Sequence, residues 1–243
     1  MNCSDPTALA RVNEVQAKKD QIIKIYRSHL KCYDTQWPLT RGQVEVDLIH
    51  LLTSLQDDRI QFPRILSWQP KTTTLTMKRL SGHPLSQFQA EDLMDDQLWK
   101  PLFSFLENLK NITKQDLLQA TGSYFYQQTK IQNCMYQNKI EQRPPLGQPI
   151  LCLGDVSIYN VLWDTKKPAM VDFECAHWGY MGYDIGQLLA MLQVWFAHTP
   201  LLPYLDAHIL LWIQDAQFYQ QSIVWKKVFL PYYQKTIQVP ETI

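Results

Sequence analysis

An excess of either charge is missing from this sequence: 23 Lys and Arg stand against 23 Asp and Glu, a formal net charge of +0. No long-range field draws such a chain to a polyanion, so neither nucleic acid nor a membrane surface is an expected partner. Glycine is scarce, with 8 in 243 residues and none before Gly42, which leaves little room for a glycine-rich loop near the start. Cysteine is thin and scattered. Cys3, Cys32, Cys134, Cys152 and Cys175 are odd in number and share no paired spacing, so no disulfide framework or zinc site is expected, and a reduced cytoplasmic setting fits. Long apolar runs are absent too. The most apolar, "LLAMLQVWFA", falls well short of the ~20 residues a membrane-spanning helix requires, and the opening "MNCSDPTALA" has no basic stretch followed by an apolar one, so no targeting segment is expected.

What is present is enough chain for one ordinary domain or two small lobes sharing a cleft. Residues 8–27 read as two strands about a polar turn at Ala17 to Asp20, the second rich in β-branched side chains. A helix over 41–55 follows, with Val44, Leu48, Leu51 and Leu55 at helical spacing on one apolar face. "RILSWQ" and "TTLTMKRL" predict a second pair of strands turned at Pro70 and Lys71, and "SGHPL" breaks the pattern. The division expected is therefore a first lobe over 1–81 and a second over 82–243. Residues 90–137 carry a helical pattern, and "EQRPPLGQP" separates them from three short apolar runs, "PILCL", "NVLWD" and "PAMVD". The stretch 181–235 reads as helices interrupted at Pro200, Pro203 and Pro231.

The chemistry concentrates around those three runs. In "ILCLGDVSIYNVLWDTKKPAMVDFE", Asp155 lies in a loop, Asn160 leads into a strand five positions on, and Asp172 ends the next strand of the implied hairpin. All three converge at one edge. Hard oxygen donors gathered this way suit Mg²⁺, which takes a carboxylate or two, an amide oxygen, waters and substrate phosphates. One carboxylate is then left to orient an acceptor hydroxyl, which is the division of labour of phosphoryl transfer.

The segment "LCLGDVSIYNVLWD…PAMVDFECAHWGYMGYDIGQLLA" resembles the core of the aminoglycoside phosphotransferase and choline kinase superfamily, relatives of the protein kinases. The resemblance implies an α+β, two-lobed protein-kinase-like fold with a small mixed N-lobe, its sheet truncated, and a mainly helical C-lobe. It implies ATP and Mg²⁺ as cofactors and a small-molecule hydroxyl as acceptor. By that resemblance Asp155 is the catalytic base, Asn160 and Asp172 hold the metal, and Asp184 supports the catalytic loop. Lys24 on a strand and Glu45 on the following helix resemble the lysine that grips the nucleotide phosphates and its glutamate partner. "TLTMKRLSGHPL" resembles the strand and hinge that receive the adenine, with Lys78 to Leu80 offering backbone groups, Met77 bordering the base and Leu162 lying beneath it.

This sequence departs from the family pattern at Leu153, where a histidine usually stands, at Tyr180, where an aspartate is usual, and in its opening segment, where "NCSDPTALARV" offers only a short polar version of the phosphate loop. Those departures keep an alternative in view, a pseudokinase or nucleotide-binding regulatory module. His177 reads as an exposed loop residue outside the site. Trp178, Tyr183, Trp195 and Trp212 are candidates for an aromatic cage around a quaternary ammonium, with core packing the plainer expectation.

Overall fold

The computed structural model describes residues 13–27, 39–55, 57–122, 125 and 149–237. The expected phosphate-loop segment before Asn13, residues 123, 124 and 126–137 of the helical stretch, Cys3, Cys32, Cys134 and Glu241 lie outside the described residues.

Among the described residues the first lobe is a four-stranded antiparallel sheet with one helix against it. Strands β1 (Glu14–Ala17) and β2 (Gln21–Ile25) form the expected hairpin, β3 (Ile65–Gln69) and β4 (Thr74–Lys78) form the second, and the order across the sheet is β1-β2-β4-β3. Side chains alternate between the faces of a strand, so Ile22, Lys24 and Tyr26 share the face that helix α1 (Arg41–Ser54) covers. Gly42 lets α1 settle there: a Cβ on it would stand 2.6 Å from Trp68 and 2.8 Å from Tyr26. The buried stripe of α1 is Val44, Leu48 and Leu52, each 0 % exposed. Leu51 and Leu55, assigned to that face on sequence, sit at its half-buried and exposed rim. Both choices match a helical repeat, and the sheet's position selects between them.

Gly82 (φ 98°) brings the connection between the lobes against the backbone of Trp163. Here β5 (His83–Pro84) pairs with β7 (Val161–Trp163), which pairs with β8 (Pro168–Met170). At the far edge of this small sheet Gln61, from the first lobe, bridges Ala169. Helix α2 (Asp96–Asn108) is capped by the Asp95 carboxylate on the Gln97 amide at 2.7 Å, and residues 114–122 are also helical. Strand β6 (Pro149–Cys152) pairs with β9 (His177–Tyr180), a strand the sequence did not reveal. Helix α3 (Tyr183–Trp195) is buried on nearly every side, α4 (Leu201–Trp212) follows, and α5 (Ala216–Thr236) lies along α3. Gly186 permits the close approach, since a Cβ there would be 2.4 Å from Cβ of Trp225.

Two expected interruptions do not occur. Pro203 falls in the first turn of α4, where no intrahelical N–H bond is lost, and Pro231 is carried inside α5. Among the described residues no helix is long and apolar enough to cross a membrane.

Candidate active site

Two groups of side chains meet between the lobes. The first is a charged network around Lys24, whose Nζ lies 2.7 Å from Glu45 Oε2, 2.6 Å from Asp172 Oδ1 and 3.7 Å from Glu174 Oε2. Burial pushes the Lys24 amine down, but the charges of Asp172, Glu174 and Glu45 outweigh it and hold the amine well above its ordinary value. Glu45 is 0 % exposed. It accepts the Tyr26 hydroxyl at 2.5 Å and the Phe173 amide at 3.3 Å besides Lys24. Burial raises its carboxyl and Lys24 opposes that shift. With three donors converging on it, the carboxylate form is the satisfied one. Glu174 accepts from Arg41 Nε at 3.0 Å and from Asn13 at 2.7 Å, while the Arg41 guanidinium also reaches the Asn13 side chain and the Arg27 carbonyl, each at 2.7 Å.

The second group is the loop 153–160. Asn160 donates to the Asp155 carboxylate at 2.8 Å and to its carbonyl at 3.1 Å. Val156 and Ile158 are buried and anchor the loop from below. The Asn160 carbonyl accepts the Val171 amide at 3.0 Å, which sets Asn160 beside the Asp172 turn. Asp172 does not end the strand. It stands two residues past β8 with φ 67°, a left-handed conformation uncommon outside glycine. Burial, then the charges of Asp172 and Glu174, push the Asp155 carboxyl up to about 7, against the opposing Asn160 hydrogen bond and Lys24. Behind the loop, Asp184 accepts the Leu153 amide at 2.7 Å and the Gly154 amide at 2.9 Å. Burial raises its carboxyl to about 6 although both amides favour the ionised form.

The structure therefore brings together Lys24, Glu45 and Asp172 directly, and Asp155 with Asn160. Of the residues expected around an adenine, Met77 is buried on β4 opposite Ile22 and Ile65. Leu162 is half-buried on β7 between Pro84 and Ala169. The Lys78 amide is already committed to the Arg64 carbonyl at 2.8 Å and the Arg79 amide to Asp20 at 2.9 Å, whereas Leu80 makes no backbone hydrogen bond among the described residues. Of the three expected hinge positions, Leu80 is thus the one whose backbone amide is not committed to another backbone group. Sequence reasoning assigned no part to Tyr26, Arg41, Asn13 or Glu174. Glu174 carried a signal, two positions after Asp172, but Arg41 finds it across 133 positions of chain. His177 is not an exposed loop residue: it is 1 % exposed on β9. Nor do Tyr183, Trp195 and Trp212 converge on one cage. Tyr183 packs on Trp225 and Phe229, Trp212 on Phe103, and Trp195 meets Tyr159 edge-on at 5.8 Å.

A sequence profile described as the Phosphotransferase enzyme family matches residues 27–218. The chain belongs to that family. Solved structures agree in fold. The streptomycin–ATP ternary complex of APH(2")-IIa matches with TM-score 0.53 at 14% identity, covering 93% of this chain and 84% of that one. The GDP complex of wild-type aminoglycoside 2'-phosphotransferase-IIIa gives 0.55 at 11%, covering 93% and 81%. An ethanolamine kinase of Plasmodium vivax gives 0.53 at 12%, covering 90% and 72%. No curated protein sequence matches the chain. The fold of this phosphotransferase is accordingly α+β, two-lobed and protein-kinase-like, with a small mixed N-lobe and a mainly helical C-lobe.

Proposed function

We propose that this phosphotransferase moves the γ-phosphoryl group of ATP to a hydroxyl of a small molecule, with Asp155 as the general base. One observation carries the reading: Lys24 Nζ stands 2.7 Å from Glu45 and 2.6 Å from Asp172, so an N-lobe strand, an N-lobe helix and the loop after β8 meet at a single cation. Lys24 is then the group that meets the nucleotide phosphates, oriented by Glu45. The Leu80 amide and the side chains of Met77 and Leu162 receive the adenine.

The residues present fit Mg²⁺. Carboxylate oxygens of Glu45, Asp172 and Glu174 lie within 4.8 Å of one another, but Glu45 is taken up by Lys24 and Tyr26, and Glu174 by Arg41 and Asn13. Asp172 meets Lys24 through Oδ1 but its side chain is 35 % exposed, so it is the carboxylate with an oxygen to turn to a metal, with the Asn160 amide as second protein donor. The metal, when bound, neutralises charge across the phosphates. Asp155 accepts the proton of the acceptor hydroxyl, and its raised carboxyl gives it a basicity matched to neutral pH. Among the described residues of 185–237 the acids are Asp206 and Asp215, and Asp215 caps α5 and pairs with Lys110 at 2.7 Å. A polycationic acceptor finds little there to hold it, which favours a neutral or singly charged alcohol.

Thermal shift with ATP or GTP, with and without Mg²⁺, followed by an ADP-release screen over amino alcohols and sugars, tests the proposal. A metal-dependent shift and turnover of one acceptor class are expected, with the shift abolished in Asp172→Ala. Nucleotide binding indifferent to the metal and no turnover of any acceptor would replace the proposal with a regulatory module.

A further inference from the structure

Gly154, the residue before Asp155, has φ 85° and no room for a side chain: a Cβ would lie 2.1 Å from the Cys175 carbonyl oxygen and 2.6 Å from its carbon. The Cys175 peptide is therefore the wall against which the loop backbone rests. Leu153, on the other side of Gly154, is buried and contributes no side-chain hydrogen bond of its own.

That wall is itself held. His177 Nδ1 lies 3.0 Å from the Cys175 carbonyl oxygen, and because a carbonyl only accepts, Nδ1 carries the proton. The ring is fixed on its other sides. His177 pairs through its backbone with Cys152 on β6. Its ring meets Tyr183 edge-on at 5.3 Å and 87°, and a Cβ on Gly179 would stand 2.7 Å from its Nε2. Tyr183 is the neighbour of Asp184, whose carboxylate grips the Leu153 and Gly154 amides. Gly154 is thus clamped by Asp184 through its amide and by the Cys175 carbonyl against its Cα.

The geometry points to His177 as a positioning residue of the catalytic loop: its Nδ1–H fixes the Cys175 carbonyl, the carbonyl fixes Gly154, and Gly154 sets where Asp155 stands. The inference rests on the reading of Asp155 as the base. Burial pushes the imidazole down to about 4, so at neutral pH the ring is uncharged and keeps the single N–H this role requires. An apolar Leu153 is then tolerable because the donor comes from β9.

Asparagine and leucine test this as a matched pair, since both leave the same space at position 177 and only asparagine keeps a donor where Nδ1 stood. His177→Leu should lose roughly 10-fold in kcat with KM for ATP little changed, and His177→Asn should recover most of that loss. Hydrogen exchange at the Leu153 and Gly154 amides should quicken in His177→Leu and much less in His177→Asn. Equal behaviour of the two variants, in rate and in exchange, would make His177 a packing residue and overturn the inference. Should the leucine variant not fold, His177→Phe refills the ring's space without the donor and must behave as leucine was expected to. If no acceptor is turned over by the wild type, the proposed function fails while the exchange comparison still decides the clamp.

Discussion

The charged network around Lys24 and the loop that carries Asp155 lie side by side and are built on opposite principles. The network is saturated with charge: two cations, Lys24 and Arg41, serve three carboxylates, and its contacts join residues 148 and 133 positions apart. The loop is poor in charge. Asp155 takes its nearest hydrogen bond from five positions away, rests on buried Val156 and Ile158, and is steadied through backbone amides and a carbonyl. The first arrangement gives each charge a partner of opposite sign. The second leaves one carboxylate under-compensated, and that is what raises its proton affinity. On the proposed reading both are used, a fixed cation for the phosphates and a carboxylate left without a cationic partner of its own for the acceptor proton.

The comparison breaks most sharply at Asp155. Asp155→Ala should cut phosphoryl transfer by ~10²–10⁴-fold while the metal-dependent ATP shift survives, since Asp155 is hydrogen-bonded to Asn160 and not to the Lys24 network; steady-state kinetics beside thermal shift checks this. Lys24→Met should weaken nucleotide binding and also act on stability. It leaves Glu45 and Asp172 buried or half-buried against each other, at a cost of about 3–5 kcal/mol, read by urea unfolding. Gly154→Ala should sit between the two in kind and below them in size. With a Cβ 2.1 Å from a backbone oxygen, strain of about 1–3 kcal/mol must be relieved by moving the loop, so kcat should fall with ATP affinity unchanged.

The smallest effect has a definite sign. In metal-free, nucleotide-free protein burial pushes the folded Asp155 carboxyl up to about 7 from an ordinary 3.8, so the native state holds the proton more tightly than the unfolded chain. Its ionisation therefore costs stability fully above about pH 7, and the cost fades as pH falls toward the unfolded value. Asp155→Asn should raise Tm at pH 8, by about 2–4 °C for each kcal/mol relieved, and the gap should close toward pH 4. An unchanged or lowered Tm at pH 8 would mean that Asp155 is better solvated than its surroundings imply.

The same contrast explains what the sequence made legible. Loop chemistry is local: Asp155, Asn160 and Asp172 fall within 18 positions, their spacing was readable, and two of the flanking runs became the β7–β8 hairpin. Lys24 and Glu45 were found because strand and helix follow each other. Arg41 and Asn13 were not, since nothing in a sequence says that a helix N-terminus will lie against a loop 133 positions later. His177 was misread for a related reason. The stretch "AHWGY" carries no alternation, so the strand that buries it exists only because β6 offers it an edge. Pro231 misled in the opposite direction, a helix breaker accommodated once α5 had α3 to pack on.

The small β5-β7-β8 sheet has a mechanical consequence. Chain from earlier in the sequence is sewn to both sides of the β7–β8 hairpin, at His83 and Pro84 on β7 and at Gln61 on β8, the latter with backbone bonds of 2.9 Å to Pro168 and 3.0 Å from Met170. The β7–β8 hairpin, whose ends lead to Asn160 and, two residues on, Asp172, is thus braced from both sides, and the Lys24–Asp172 and Arg41–Glu174 pairs add a third tie to the strand and helix of the first lobe. A hairpin held this way cannot slide along its own length without breaking one of these sets of bonds.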